Sequence, residues 1–164
     1  MTKYLALDQA LQVTGYAIFD EKELIANGSF SISPGKPIDY RLNSFLEHLD
    51  GLYSDFQFDH LFFEDIQKQQ NVETFKKLAY VQAAILIWCW RNDMRFSILA
   101  PSHWRSIIHS NYKVNFGKTR KDQKLAAQSF VEKQYGLNLT EDECDAICLG
   151  AAGIKDLAIN TSAF

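Results

Sequence analysis

The sequence predicts an α/β protein in which helices cover a sheet, and three observations carry that reading. Five short runs rich in apolar and β-branched residues recur between Tyr4 and Leu99. After the third run, strands alternate with stretches of helical periodicity. The first run, Tyr4-Leu5-Ala6-Leu7-Asp8, is apolar at successive rather than alternate positions, which marks a strand buried on both faces.

Val13 to Phe19 is the second β-rich run, Asp20-Glu21-Lys22 a hairpin turn, and Leu24 to Ile32 the third strand. Ser33-Pro34-Gly35-Lys36-Pro37 then breaks the pattern and leads into a helix. Asp39 is the candidate N-cap of that helix, and Leu42, Phe45, Leu46, Leu49 and Leu52 share its apolar face. His60-Leu61-Phe62-Phe63-Glu64 is a second apolar strand that ends in an acid. Polar residues from Asp65 to Asn71 follow, then a helix from about Val72 to Asn92. Its second half, Ala83 to Trp90, is apolar nearly all round, so that end is either deeply buried or shared with another subunit. Arg95 to Leu99 forms the fifth strand, closed by Pro101, and Ser102 is placed to cap a short helix through Ile108. Asn111 to Gly117 reads as a loop, and Lys121 to Gln134 as a helix stopped by Gly136. Thr140-Glu141-Asp142-Glu143 matches a capping box that opens a last helix to about Leu157. Asn160 to Phe164 carry no structural signal.

With 164 residues, the chain suits one domain over 1–164 with a core of its own. Its 47% hydrophobic and 23% charged residues are ordinary for a globular protein. The longest apolar run, Val81 to Trp90, contains Gln82 and is about half the length a membrane span needs, so no membrane association is expected. The N-terminus lacks the basic and apolar regions of a signal peptide. A cytoplasmic location is therefore expected, in the host cytoplasm if the chain is phage-encoded. Three cysteines give no disulfide framework, and Cys144 and Cys148, one helical turn apart without a matching pair, read as core residues. The net charge is −3, yet Lys113, Lys118, Arg120, Lys121 and Lys124 face only Asp122 within their segment. That basic stretch is either a solvated face or a site for phosphates.

Asp8 and Glu64 end two strands of the same design. A carboxylate at the tip of a buried strand is costly unless a cation or donors compensate it. Asp142 and Asp145 lie three apart in the first turn of the last helix and so share a face. The helix dipole favours acids there by a few tenths to about 1 kcal/mol, which accounts for Glu141 and Glu143. It does not account for Asp145 among Cys144, Ala146, Ile147, Cys148 and Gly150, which suit close packing. Should these four acids converge, an oxygen-only ligand set selects hard cations such as Mg²⁺ or Mn²⁺ over zinc. Two such ions suit in-line displacement at phosphorus, so phosphodiester hydrolysis is the chemistry this set supports.

Several segments together resemble the RuvC-type Holliday junction resolvases of the ribonuclease H-like superfamily, nearer to phage versions. They are Leu5-Ala6-Leu7-Asp8 with Val13-Thr14-Gly15-Tyr16, Phe62-Phe63-Glu64 with Asn71 and Leu78 to Gln82, Lys121-Asp122-Gln123, and Asp142-Glu143-Cys144-Asp145-Ala146-Ile147. The resemblance implies a ribonuclease H-like fold with a mixed five-stranded sheet flanked by helices. It implies a homodimer through the helix 72–92 that nicks opposed strands of a four-way junction, leaving 5′-phosphate and 3′-hydroxyl ends. Carried over by position, Asp8, Glu64, Asp142 and Asp145 would be the catalytic metal-binding acids, with two Mg²⁺ per site and Mn²⁺ as a substitute. Lys121 would stand near the scissile phosphate; its alternative is an exposed first-turn lysine.

Lys68, Lys76, Lys77, Arg105, Lys113, Lys118, Arg120 and Lys124 are the candidate DNA-binding residues, through phosphate contacts that set affinity without reading sequence. For Trp104, beside Arg105, core packing is the expected role. Gln67 departs from the resemblance, because bacterial relatives carry an aromatic residue three positions after the second acid. Selectivity for four-way junctions over forks is therefore open, while the cutting chemistry is not affected. His48, His60, His103 and His109 have no nucleophile partner in the sequence and read as structural or surface groups. The competing readings are a ribonuclease H-like hydrolase on RNA or hybrids, a non-cutting junction-binding protein, and an actin-like ATPase. The short chain and the lack of a second such half argue against the last.

Overall fold

The computed structural model describes residues 1–162, with side chains through Asn160. The elements run β1 (Lys3–Asp8), β2 (Val13–Asp20), β3 (Glu23–Ser31), α1 (Ile38–Phe56), β4 (His60–Glu64), α2 (Val72–Arg91), β5 (Arg95–Leu99), α3 (Pro101–Tyr112), α4 (Arg120–Tyr135) and α5 (Glu141–Ser162). The five strands form one sheet in the order β3-β2-β1-β4-β5. The β3-β2-β1 meander is antiparallel, whereas β1, β4 and β5 are parallel neighbours joined by helical crossovers.

Alternation along the central strands splits the core in two. Leu5, Leu7, Ile18, Leu61 and Phe63 face α1 and α2, where they meet Phe45, Leu49, Val81, Ile85 and Trp88. Ala6, Ala17, Phe19 and Phe62 face the opposite layer of α3, α4 and α5, with Trp104, Ile108, Phe130 and Ile147. Burial on both sides explains why Tyr4 to Leu7 shows no polar alternation. The helix α5 lies directly on the sheet because small residues line its inner face. A Cβ at Gly150 would stand 2.3 Å from the Phe19 ring, and one at Gly153 would stand 2.5 Å from the Phe62 ring. All three cysteines are buried and free, as core residues should be.

Helix ends account for most departures from the sequence-based expectations. Pro37, not Asp39, occupies the N-cap position of α1 without a side-chain cap, and Asp39 lies in the first turn. Ala100 precedes α3 and Pro101 opens it, so Ser102 is no cap; Pro's fixed φ is already helical there. That helix continues past Ile108 to Tyr112, and the following loop is correspondingly shorter. Thr119 caps α4 by accepting from Asp122 N–H at 3.1 Å. The expected capping box of α5 is present, with Thr140 and Glu143 bonded reciprocally. The helix runs through Ser162, beyond Leu157, so Asn160 is helical; Ala163 and Phe164 lie outside the described residues. Among the described residues no helix is long and apolar enough to cross a membrane.

The contact of α5 with the sheet generates a stability test. Gly150→Ala forces a methyl group against Phe19 and Ala6, and overpacking of this kind costs about 1–3 kcal/mol. Urea unfolding should show that loss as a lower midpoint with an unchanged slope; an unchanged midpoint would place α5 farther from the sheet.

Candidate active site

Two of the acids are brought together by the parallel pairing of β1 with β4, which runs in register from Tyr4↔His60 to Leu7↔Phe63. Asp8 and Glu64 are the next residues of each strand, at the carboxyl ends of a parallel pair, where open α/β sheets bind ligands. Gln9 ties the two tips. Its Nε2 donates to the Glu64 carbonyl at 2.6 Å and its Oε1 accepts from the Glu64 N–H at 3.2 Å. Trp104, 1% exposed in the core as expected, also donates its indole N–H to Glu64 Oε2 at 2.8 Å. From the other side, Gln82 of α2 accepts from the Ile66 N–H at 3.1 Å and steadies the chain just past Glu64.

The other two acids come from the first turn of α5, and Gly15 lets that turn approach. A Cβ at Gly15 would lie 2.1 Å from the Asp142 carbonyl oxygen, so no side chain fits between β2 and the helix start. Gly15 pairs with Asp8 across the β1-β2 ladder, which sets Asp142 close to Asp8. Thr14, fully buried, closes the connecting loop by accepting from Ala10 N–H and donating to Ala10 C=O. Asn27 of β3 donates to Glu143 at 3.3 Å and holds the turn from its outer side. The Val13-Thr14-Gly15-Tyr16 run therefore has a steric explanation: it shapes the loop and clears room for the helix.

Asp8, Glu64, Asp142 and Asp145 line one open cleft of about 580 Å³, together with Gln67, Gln69, Ser102, Arg105, Arg120, Gln123 and Lys124. Burial and then the charges of Asp145, Glu64 and Asp142 push the Asp8 carboxyl well above its ordinary range. Burial, followed by Glu64, pushes Asp145 up to about 7, against a smaller opposing pull from Arg105 and Lys124. Glu64 is raised by burial, offset in part by the Trp104 hydrogen bond and Arg105. Among the described residues, no three His, Cys, Asp or Glu side chains are arranged to close on one metal ion. The donor set nonetheless fits hard divalent cations, because it is all carboxylate and its repulsion is only partly met by neighbouring cations.

The basic candidates separate into two groups. Arg105, Arg120 and Lys124 line the cleft, with Arg105 stacked 5.0 Å from the centre of the Trp104 ring and Lys124 paired with Glu141. Lys121 is exposed and does not line the cleft. It lies about 100° round the helix from Arg120, whereas positions 120, 123 and 124 share the inward face. Lys68, Lys76, Lys77, Lys113 and Lys118 are also exposed outside the cleft lining, with Lys76 paired to Glu73 at 3.6 Å. Sequence reasoning missed Gln9 and the indole of Trp104 as site residues. No local pattern announces either, because their partners lie far along the chain. The histidines have structural partners: His48 stacks on Phe30, His60 meets Ser97, His103 meets Asp156, and His109 meets the Val114 carbonyl.

Comparison with known proteins bears on the family and the fold. The family model described as Crossover junction endodeoxyribonuclease RuvC matches residues 4–148. The Crossover junction endodeoxyribonuclease RuvC of Campylobacter concisus is 26% identical over 165 residues, covering 96% of this chain and 99% of its own. The protein of that name from Campylobacter lari is 32% identical over 115 residues, covering 68% and 72%. The Thermus thermophilus RuvC structure superposes with a TM-score of 0.76 at 12% identity over 98% of each chain. T. thermophilus RuvC in complex with Holliday junction substrate gives 0.74 at 12% identity over 96% of each. The Fowlpox virus resolvase, in its complex with Holliday junction DNA, gives 0.64 at 13% over 95% of this chain and 99% of that one. At such identities the structures speak for the fold, and they bear out the ribonuclease H-like, mixed five-stranded sheet. The family match takes in Asp8, Glu64, Asp142 and Asp145 and most of the chain, and the protein accordingly belongs to the RuvC family of crossover junction endodeoxyribonucleases.

Proposed function

We propose that this chain is a structure-selective DNA endonuclease that resolves four-way junctions, and extends to other branched DNA such as forks, by paired nicks. The observation that carries the reading is the single cleft lined by four carboxylates from β1, β4 and α5. RuvC nucleases depend on divalent cations. Asp8, Glu64, Asp142 and Asp145 would hold two Mg²⁺, with Mn²⁺ as a substitute. Ions bound there supply activation of the attacking water and neutralise charge gathering on the phosphate. The chain's own groups orient and attract. Trp104 and Gln9 fix Glu64, while Arg105, Arg120 and Lys124 draw the DNA backbone to the acids and stabilise its charge. All four acids being present argues against a non-cutting junction binder. Arg120 and Lys124 line the cleft, so they stand nearer the acids than Lys121, to which the resemblance gives a place near the scissile phosphate.

The acting form is a homodimer through α2. Val81, Ile85 and Trp88 bury one side of that helix in the core, while Tyr80 at 42%, Ile87 at 51% and Trp90 at 83% exposure form a stripe on the other. Phe96 and Ile98 of the edge strand β5 are also exposed. Contiguous apolar residues of this kind mark an interface. A twofold pairing there would set two clefts on opposed strands.

Asp8→Asn should leave junction binding largely intact and abolish nicking with Mg²⁺, measured on a labelled four-way junction, a fork and a linear duplex; retained cutting removes Asp8 from the site. Sedimentation should show the wild type as a dimer, and Ile87→Glu with Trp90→Glu should give an 18.8 kDa monomer that has lost paired incision. A fully active monomeric wild type overturns the dimer. The raised Asp145 pKa sets a third test. Folded protein keeps a proton that the unfolded chain releases near its ordinary value of 3.8, so this group's contribution is fullest below about pH 4 and is lost as pH rises through about 7. His60, lowered to about 4, adds the opposite slope below about pH 6.5. Melting of ion-free protein should therefore be compared between wild type and Asp145→Asn from pH 5 to 8. The variant's advantage should grow with pH, and a constant difference contradicts the buried, charge-crowded Asp145.

A further inference from the structure

We propose that Gln9 is a positioning residue that fixes the spacing between Asp8 and Glu64 by standing in for a missing piece of strand ladder. The inference deepens the nuclease reading above and rests on it. Backbone pairing between β1 and β4 ends at Leu7↔Phe63, one residue short of both acids. In a parallel ladder a residue turns its N–H and C=O toward the same neighbour, and those of Glu64 turn toward β1 just past the last paired residues, Leu7 and Phe63, where the ladder does not continue. The Gln9 carboxamide meets both, donating to the carbonyl at 2.6 Å and accepting from the N–H at 3.2 Å. It is 8% exposed, one of few buried polar side chains among the described residues. On its far side β4 is held to β5 by the Glu64↔Leu99 pair and by Asp65 N–H bonding to the Leu99 carbonyl. The backbone of Glu64 is thus clamped from both sides, with a peptide group on one and a side-chain amide on the other.

The clamp has a load to resist. Asp8 and Glu64 share a partly desolvated cleft, where their like charges push the two strand tips apart. A primary amide offers donor and acceptor side by side, as a peptide does. Methionine would fill the same space and make neither bond. Asparagine would carry the same groups on a stem one methylene shorter and fail to span both. Loss of the strap therefore widens the spacing of the two carboxylates, while Arg105, Arg120 and Lys124, on α3 and α4, keep their places. The role is that of a second layer of support, whose removal commonly costs ten- to a hundredfold in metal affinity or activity.

Gln9→Met tests this through four measurements: Mn²⁺ binding to free protein by calorimetry, junction affinity without divalent ion, kcat and KM with Mg²⁺, and thermal melting. The expected result is Mn²⁺ affinity and kcat each lower by about tenfold, with KM and junction affinity within about twofold of wild type. Wild-type Mn²⁺ affinity and kcat, or a loss confined to melting temperature, overturns the proposal and leaves Gln9 a packing residue. If Gln9→Met does not fold, Gln9→Asn is measured in the same way; the same losses support the strap and wild-type values defeat it. A wild type that cuts no junction would count against the nuclease reading, and the Mn²⁺ comparison would still decide the role of Gln9.

Discussion

Asp8 lies where burial and three neighbouring carboxyls all oppose its ionisation, and much of the structure serves to hold it there. Left free, like charges in a partly desolvated cleft would separate and rehydrate. Here they are fixed at three independent points, by strand pairing at Asp8, by Gln9 and Trp104 at Glu64, and by a capped helix start at Asp142 and Asp145. Each anchor is backed by one of the two apolar cores, so the repulsion is set against burial of the whole sheet. Carboxylates held this way already share one cleft, although among the described residues no three side chains close on a single ion position.

The approach of α5 to the sheet converts that requirement into sequence. Gly15, Gly150 and Gly153 stand wherever the helix and its supporting strands would collide with a side chain. A helix with larger residues on that face would ride higher, and its first turn would carry Asp142 and Asp145 away from the strand tips. Glycine within a helix costs about 1 kcal/mol relative to alanine, and α5 accepts that twice for closeness. Stability and site geometry thus depend on the same few contacts.

The strands and the acids were legible in the sequence because their signals are local. An unbroken apolar run ending in Asp or Glu, a Thr-x-x-Glu start and a Gly after α4 each act over a few residues. Helix starts were read less well where backbone alone makes the boundary, as at Pro37 and Ala100. The facing of α4 could not be read from its charges. Its phase is set by Thr119 and by packing of Ala127 and Phe130, which turn Arg120 and Lys124 inward and leave Lys121 outside. Trp104 shows how a residue read as core also serves the site: its ring is buried and its one polar atom reaches Glu64. Gln9 was illegible for a plainer reason, since its partner lies 55 residues away.

The cleft is asymmetric, and the asymmetry bears on how DNA would lie in it. Arg105, Arg120 and Lys124 line it from α3 and α4, whereas the segment after Glu64 contributes Gln67 and Gln69. A phosphate backbone is attracted to the cationic side through long-range charge, which orients but does not select sequence. The amides of Gln67 and Gln69 add no charge; each offers both donor and acceptor, suited to base edges or sugar oxygens rather than to stacking. Gln67 also bonds its own loop, through the Asp65 and Ile66 carbonyls. With no aromatic ring at Gln67, the junction centre would meet hydrogen-bonding groups on a loop that Gln82 secures to α2. Under the proposed pairing, the helix that joins the protomers then also holds the loop beside each cleft, so assembly and the shape of the site share one element.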